Sequence, residues 1–147
     1  MKLEPEVRES LIRRLEFARA ELEDLQPLRK IDYFTYQKNR LQRRNVERII
    51  ENICNALVDV AKIILAQTET PVPGTYREAI LVLGEQEIIS LELAKELSQK
   101  MRLRNVLAHQ YLDLKWEAIQ DFLLTGVEQV ELFLSSFDRW LEHHDDD

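Results

Sequence analysis

The chain is poor in residues that break a backbone or cross-link it. Its 147 residues include three glycines, four prolines and one cysteine. So few turn-formers, with little apolar–polar alternation, argue against a β-sandwich and favour helices. The lone Cys54 excludes an internal disulfide, and its apolar helical surroundings read as a buried thiol. Apolar runs are only a few residues long, so no membrane span is expected. Met1-Lys2-Leu3-Glu4-Pro5 opens no apolar leader core, and the expected location is cytoplasmic. Basic residues are the minority: 20 Lys and Arg against 27 Asp and Glu, a net charge of −7. That balance argues against non-specific coating of nucleic acid, but leaves room for a local basic groove.

What is present is helical periodicity over a length suited to one domain. Leu11, Leu15, Ala18, Leu22 and Leu25 form one stripe, predicting a helix from about Pro5 to Leu25 that stops at Pro27. A second helix is predicted from Ile31 or Asp32 to about Gln67, capped by Asp32, with Val46, Ile50, Ile53, Leu57, Ala61 and Ile64 as its stripe. Ile49, Cys54, Val60, Ile63 and Leu65 widen that stripe beyond one partner, enough for a core and a dimer interface. After the Pro-rich loop at 70–75, a short helix should run from Tyr76 to Leu83 and end at Gly84. Ser90 should cap the next helix, with Leu97, Met101 and Ala108 on its apolar side as it runs to Ala108 or His109. Gln110 to Leu114 reads as a connector. Asp113 should cap a last helix, Lys115 to Leu141, with Ile119, Leu123, Val127, Val130, Leu134, Phe137 and Leu141 buried. The fold class is all-α, an antiparallel four- to five-helix bundle. The single helical domain would cover 1–142, followed by an acidic tail at 143–147 in which His143 and His144 read as solvated.

The chemistry concentrates in Arg104-Asn105-Val106-Leu107-Ala108-His109-Gln110-Tyr111. Arginine binds phosphate as a permanent fork, and histidine exchanges protons near neutral pH. The pair suits metal-independent RNA cleavage. A base takes the 2′-hydroxyl proton, and the oxygen attacks phosphorus. The products are a 2′,3′-cyclic phosphate and a 5′-hydroxyl. Positions five apart on an ideal helix point about 140° from each other. Arg104 and His109 can therefore meet only if the helix ends or distorts near His109, or if two copies face each other across a two-fold axis. From spacing alone, an Arg and a His at a helix C-terminus also fit dipole-compatible structural residues.

The segment resembles the R-x4-H-x-Y signature of HEPN-domain toxins of the HepT kind. The flanks agree: Arg44-Asn45-Val46-Glu47-Arg48 before the long helix, Tyr76-Arg77-Glu78-Ala79 after the loop, and Met101-Arg102-Leu103-Arg104-Asn105 before the motif. The likeness spans roughly 36–124. It implies an all-helical HEPN homodimer, able to assemble further, acting as an endoribonuclease on mRNA or tRNA without a cofactor of its own. It implies catalytic Arg104 and His109, a supporting Asn105, and Tyr111 as a modification target. The implied partner is a cognate MNT-type nucleotidyltransferase antitoxin, which uses ATP and Mg to place AMP on that tyrosine and silence the toxin. Added AMP brings bulk and negative charge close to His109, against the RNA backbone.

Arg40, Arg44 and Arg48 lie at helical spacing, with Arg43 off their face. They read either as an RNA-backbone contact or as a solvated face paired to Glu47 and Glu51. Two rival functions stand beside the ribonuclease. One is a non-enzymatic HEPN module that scaffolds a nucleotidyltransferase or binds a nucleotide. The other is an accessory site of such a complex.

Overall fold

The first helix, α1 (Pro5–Leu25), opens on a proline at its first turn, where the missing N–H costs nothing. Its expected stripe, Leu11, Leu15, Ala18, Leu22 and Leu25, is buried. A 3-10 turn, Gln26–Leu28, holding Pro27 ends it. These features come from a computed structural model, which describes residues 2–71, 73–108 and 112–145. The described residues form helices and no strand.

The long second helix of the sequence reading is two helices. They are α2 (Tyr33–Lys38) and α3 (Arg40–Gln67), separated by Asn39 in an extended conformation. Asp32 caps α2 as expected, accepting from the Thr35 N–H. Asn39 causes the break. Its N–H closes the last turn of α2 onto the Thr35 carbonyl, while its side chain accepts from the Gln42 N–H and starts α3. Arg43 secures the elbow by donating to the free carbonyls of Tyr36 and Gln37.

Helix α3 is the spine, and α1 runs antiparallel to it, with Glu21 beside Asn52 and Arg14 beside Asp59. α1, α2 and the later helices pack against the broad apolar stripe, with Ile49 and Ile63 partly buried against the core.

Helices α4 (Tyr76–Glu85) and α5 (Leu91–Lys100) form a hairpin, capped by Thr75 and Ser90. Gly84 does not end α4. It is buried inside the helix, where a Cβ would stand 2.5 Å from that of Ala94 and 3.3 Å from the Leu91 Cα. Glycine is there for close helix contact. The left-handed capping residue is Glu87, at φ 61°. The Ile88 N–H bonds the Leu83 carbonyl and the Glu87 N–H that of Gly84, the Schellman pattern.

The helix expected to run from Ser90 to Ala108 breaks at Met101–Arg102 and resumes as α6 (Leu103–Leu107). Met101 and Leu103 are both buried. On one straight helix they would point about 200° apart, so the backbone must re-aim between them. It tightens there: the Arg104 N–H bonds the Met101 carbonyl, and the Asn105 N–H that of Arg102. Ala108, expected on the apolar side, is exposed.

Helix α7 (Leu112–Asp121) starts earlier than Lys115. Asp113 lies within its first turn and is not its cap; its carboxylate accepts from the Tyr33 hydroxyl at 2.8 Å. A π-helical turn, Phe122–Gly126, joins α7 to α8 (Val127–Asp145). Arg29 Nε donates to the Leu123 carbonyl inside that turn. α8 carries His143 and His144 in its last turn. His144 is partly buried and stacked on Trp140 at 4.1 Å, rather than solvated. α5 and the α7–α8 helix run antiparallel, linked by Gln129 to Glu96 and by Lys100 to Asp121. The result is the antiparallel helical bundle expected, with α6 suspended beside α3 and α7.

Candidate functional site

Helix α6 has five residues and ends at Leu107, with Ala108 as its C-cap. The helix therefore stops immediately before His109, one of the geometries the Arg–His spacing requires. His109 and Tyr111 themselves lie outside the described residues, as do Asp146 and Asp147 of the acidic tail. Asn105 is exposed, and its carbonyl accepts from the Ala108 N–H.

Arg104 is half-buried, and its guanidinium carbon stands 4.1 Å from the centroid of the Tyr76 ring. Its Nε is buried without a hydrogen-bond partner. Lys62 Nζ sits 5.4 Å from the same ring. Among the described residues, neither cation is paired with a carboxylate. Arg104 also lies close enough to Cys54 to oppose the effect of burial, which pushes that thiol up to about 12. Cys54 is thus the inert buried thiol expected. Sequence reasoning used Tyr76 only as a helix start and a family flank, and gave neither it nor Lys62 a role at the site.

The far flank of the motif is tied down separately. Tyr36, fully buried, donates to Glu47 Oε1 at 2.6 Å, and Lys115 Nζ lies 3.7 Å from the same oxygen. Burial and the Glu47 bond together hold the Tyr36 hydroxyl far above its ordinary range. Trp116 packs against the rings of Tyr33 and Tyr36. These contacts fasten the start of α7, just beyond Tyr111, to α2 and α3.

The basic cluster divides. Arg40, Arg44 and Arg48 are all exposed on α3. Arg48 lies 3.7 Å from Glu51 and lines a cavity with Glu21, Glu23 and Asp24. Glu47 does not neutralise the cluster, because it is committed to Tyr36 and Lys115. Among the described residues, Arg40 and Arg44 have no ion-pair partner.

An all-helical bundle thus carries, on its short α6, a half-buried arginine set against an aromatic ring, with no carboxylate partner among the described residues. The family model for ribonuclease HepT-like proteins matches residues 18–137. The chain belongs to that family and is a ribonuclease. It is 27% identical over 128 residues to a tRNA nuclease HepT of Aphanizomenon flos-aquae, covering 87% of each chain. It is 25% identical over 85 residues to an mRNA nuclease HepT of Shewanella oneidensis, covering 58% of this chain and 64% of that one. The fold is shared with a crystal structure of a toxin–antitoxin with AMP-PNP, at TM-score 0.77 and 19% identity over 88% of this chain and 97% of that one. It is shared too with a tri-AMPylated Shewanella oneidensis HEPN toxin in complex with an MNT antitoxin, at TM-score 0.75 and 20% identity over 88% and 96%.

Proposed function

We propose that the chain is the toxin of a toxin–antitoxin pair, a metal-independent endoribonuclease whose reaction is carried by Arg104 and His109. The observation that carries this reading is the family match over 18–137, which spans the whole Arg104–Tyr111 segment. The termination of α6 at Leu107 supports it, because a helix end frees His109 from the angular separation a straight helix imposes.

His109 moves the protons, as base toward the 2′-hydroxyl or as acid toward the leaving 5′-oxygen. The 2′-oxygen bonds to phosphorus as the bond to the 5′-oxygen breaks, leaving a 2′,3′-cyclic phosphate and a 5′-hydroxyl. Arg104 balances the charge gathering on the phosphoryl oxygens, with Asn105 as an exposed polar neighbour. Two copies in a homodimer would bring two such sets to one cleft. Arg40 and Arg44 offer contacts to the RNA backbone, and Arg48 contributes less because acid surrounds it.

The partner is an MNT-type nucleotidyltransferase that transfers AMP to Tyr111. The neighbours that share the fold support this, since one is an AMPylated HEPN toxin with an MNT antitoxin. AMP at Tyr111 blocks the groove by bulk and by charge.

The test is cleavage of bulk tRNA and of an mRNA transcript, with end-group analysis. His109→Ala should abolish cleavage and preserve the assembly. Cleavage that persists in His109→Ala, or products ending in a 3′-hydroxyl, would defeat the mechanism. Coexpression with a cognate MNT-type nucleotidyltransferase should add AMP mass to the wild type and none to Tyr111→Phe.

A further inference from the structure

We infer that Tyr76 is the positioning residue for Arg104, and that Tyr76, Arg104 and Lys62 together form the phosphate-binding corner of the site. The inference rests on the reading of Arg104 as the charge-stabilising residue.

A guanidinium has five N–H donors and is ordinarily aimed by the acceptors around it. Arg104 is aimed differently. Its Nε is buried and unpartnered, and among the described residues no carboxylate holds its head. What contacts it is the Tyr76 ring, at 4.1 Å. Attraction between the cation and the negative face of the ring fixes the plane of the fork without using up its N–H groups. A carboxylate in that place would hold the arginine equally well, but would occupy its donors and cancel its charge. The ring leaves both free for a phosphate.

Lys62 repeats the arrangement at 5.4 Å from the same ring, again with no carboxylate partner among the described residues. An exposed Lys62 and a half-buried Arg104 gathered on one ring make a local positive spot in a protein of net charge −7, suited to an anion. The supports are helical. Lys62 lies on α3 and Tyr76 is the first residue of α4, set by the Thr75 cap accepting from the Glu78 N–H. Arg104 approaches on α6. Three separate helices therefore converge on one ring.

The test compares cleavage of bulk tRNA by the full-length protein carrying tyrosine, phenylalanine or progressively fluorinated phenylalanines at position 76. Fluorine drains the ring face and hardly changes its shape, so each added fluorine should lower kcat in steps. Across the series the loss should total roughly 2- to 30-fold, the span of one cation–π contact. KM and thermal midpoint should stay nearly constant, and Tyr76→Phe should retain most activity. Tyr76→Leu should lose kcat at least as far as the most fluorinated variant. Lys62→Gln should raise KM and reduce the salt dependence of kcat/KM by about one phosphate contact. A flat fluorine series with Arg104→Ala inactive would overturn the role of Tyr76 and leave the ribonuclease reading standing. Full activity in Arg104→Ala would instead remove the premise that Arg104 serves the reaction. An unchanged salt slope in Lys62→Gln would strike Lys62 from the corner.

Discussion

Replacing Gly84 with alanine separates two opposed effects whose sizes can be compared. Alanine is the better helix former by about 0.8–1.0 kcal/mol, so an exposed glycine-to-alanine change within a helix would stabilise. Here the new methyl would lie 2.5 Å from the Ala94 Cβ, 3.3 Å from the Leu91 Cα and 3.4 Å from the Leu91 Cδ1. Neither the Ala94 methyl nor a backbone carbon can swing aside, so α4 and α5 must separate. Overpacking of this kind costs about 1–3 kcal/mol. The clash matches or outweighs the propensity, giving a net destabilisation of up to about 2 kcal/mol. In a protein of this size that lowers the thermal midpoint by up to about 8 °C. Thermal and urea unfolding followed by far-UV circular dichroism measure it. Ala94→Gly, which removes the opposing methyl, should cost less in the Gly84→Ala background than alone, because the two sites share one space. A Gly84→Ala protein more stable than wild type, or strictly additive pair effects, would refute the close-contact account. Since α4 carries Tyr76 and α5 leads to Arg104, the same variant should also lose cleavage rate.

Glu87 occupies the left-handed position of a Schellman turn, at φ 61°. Glu87→Gly should therefore stabilise by about 0.5–1 kcal/mol in urea unfolding, and a loss of stability would remove backbone strain as the explanation. Burial pushes the Cys54 thiol up to about 12, so the native protein at pH 8 should resist iodoacetamide and react only as it unfolds; fast native labelling would contradict its burial. The Tyr36 hydroxyl is held above its ordinary value of 10.0 by burial and by Glu47. A raised pKa keeps its stabilisation below the unfolded value and loses it as pH rises. Wild type should thus weaken from about pH 10 upward, and Tyr36→Phe should be weaker at neutral pH by about 1 kcal/mol yet less sensitive to alkali. Equal alkaline slopes in the two proteins would exclude Tyr36 as the titrating group.

The legible parts of this protein were the local ones. Asp32 and Ser90 read as caps because capping needs only a side-chain oxygen and an N–H three residues away. The α1 and α3 stripes read correctly because burial follows the helical period. The Arg–His–Tyr segment stood out through its resemblance to a family signature, and the family match spans it. The breaks were not legible. Asn39 looks like any polar residue in a long amphipathic run, and its extended backbone is sustained by Arg43 bonding the carbonyls behind it. The break before Leu103 arises because Met101 and Leu103 must both face the core, a demand set by α3 and α7 rather than by their neighbours in sequence.

The sequence by itself determined the all-helical class, the main stripes and the segment that names the family, since each depends on residues within a few turns of one another. Tertiary structure alone decided what the long-range partners do. It made Gly84 a contact point between helices and not a terminator. It drew Glu47 away from the α3 arginines to Tyr36 and Lys115. It set Arg104 against the ring of Tyr76, 28 positions earlier in the chain. Periodicity tells which face of a helix is buried; only packing tells against which side chain.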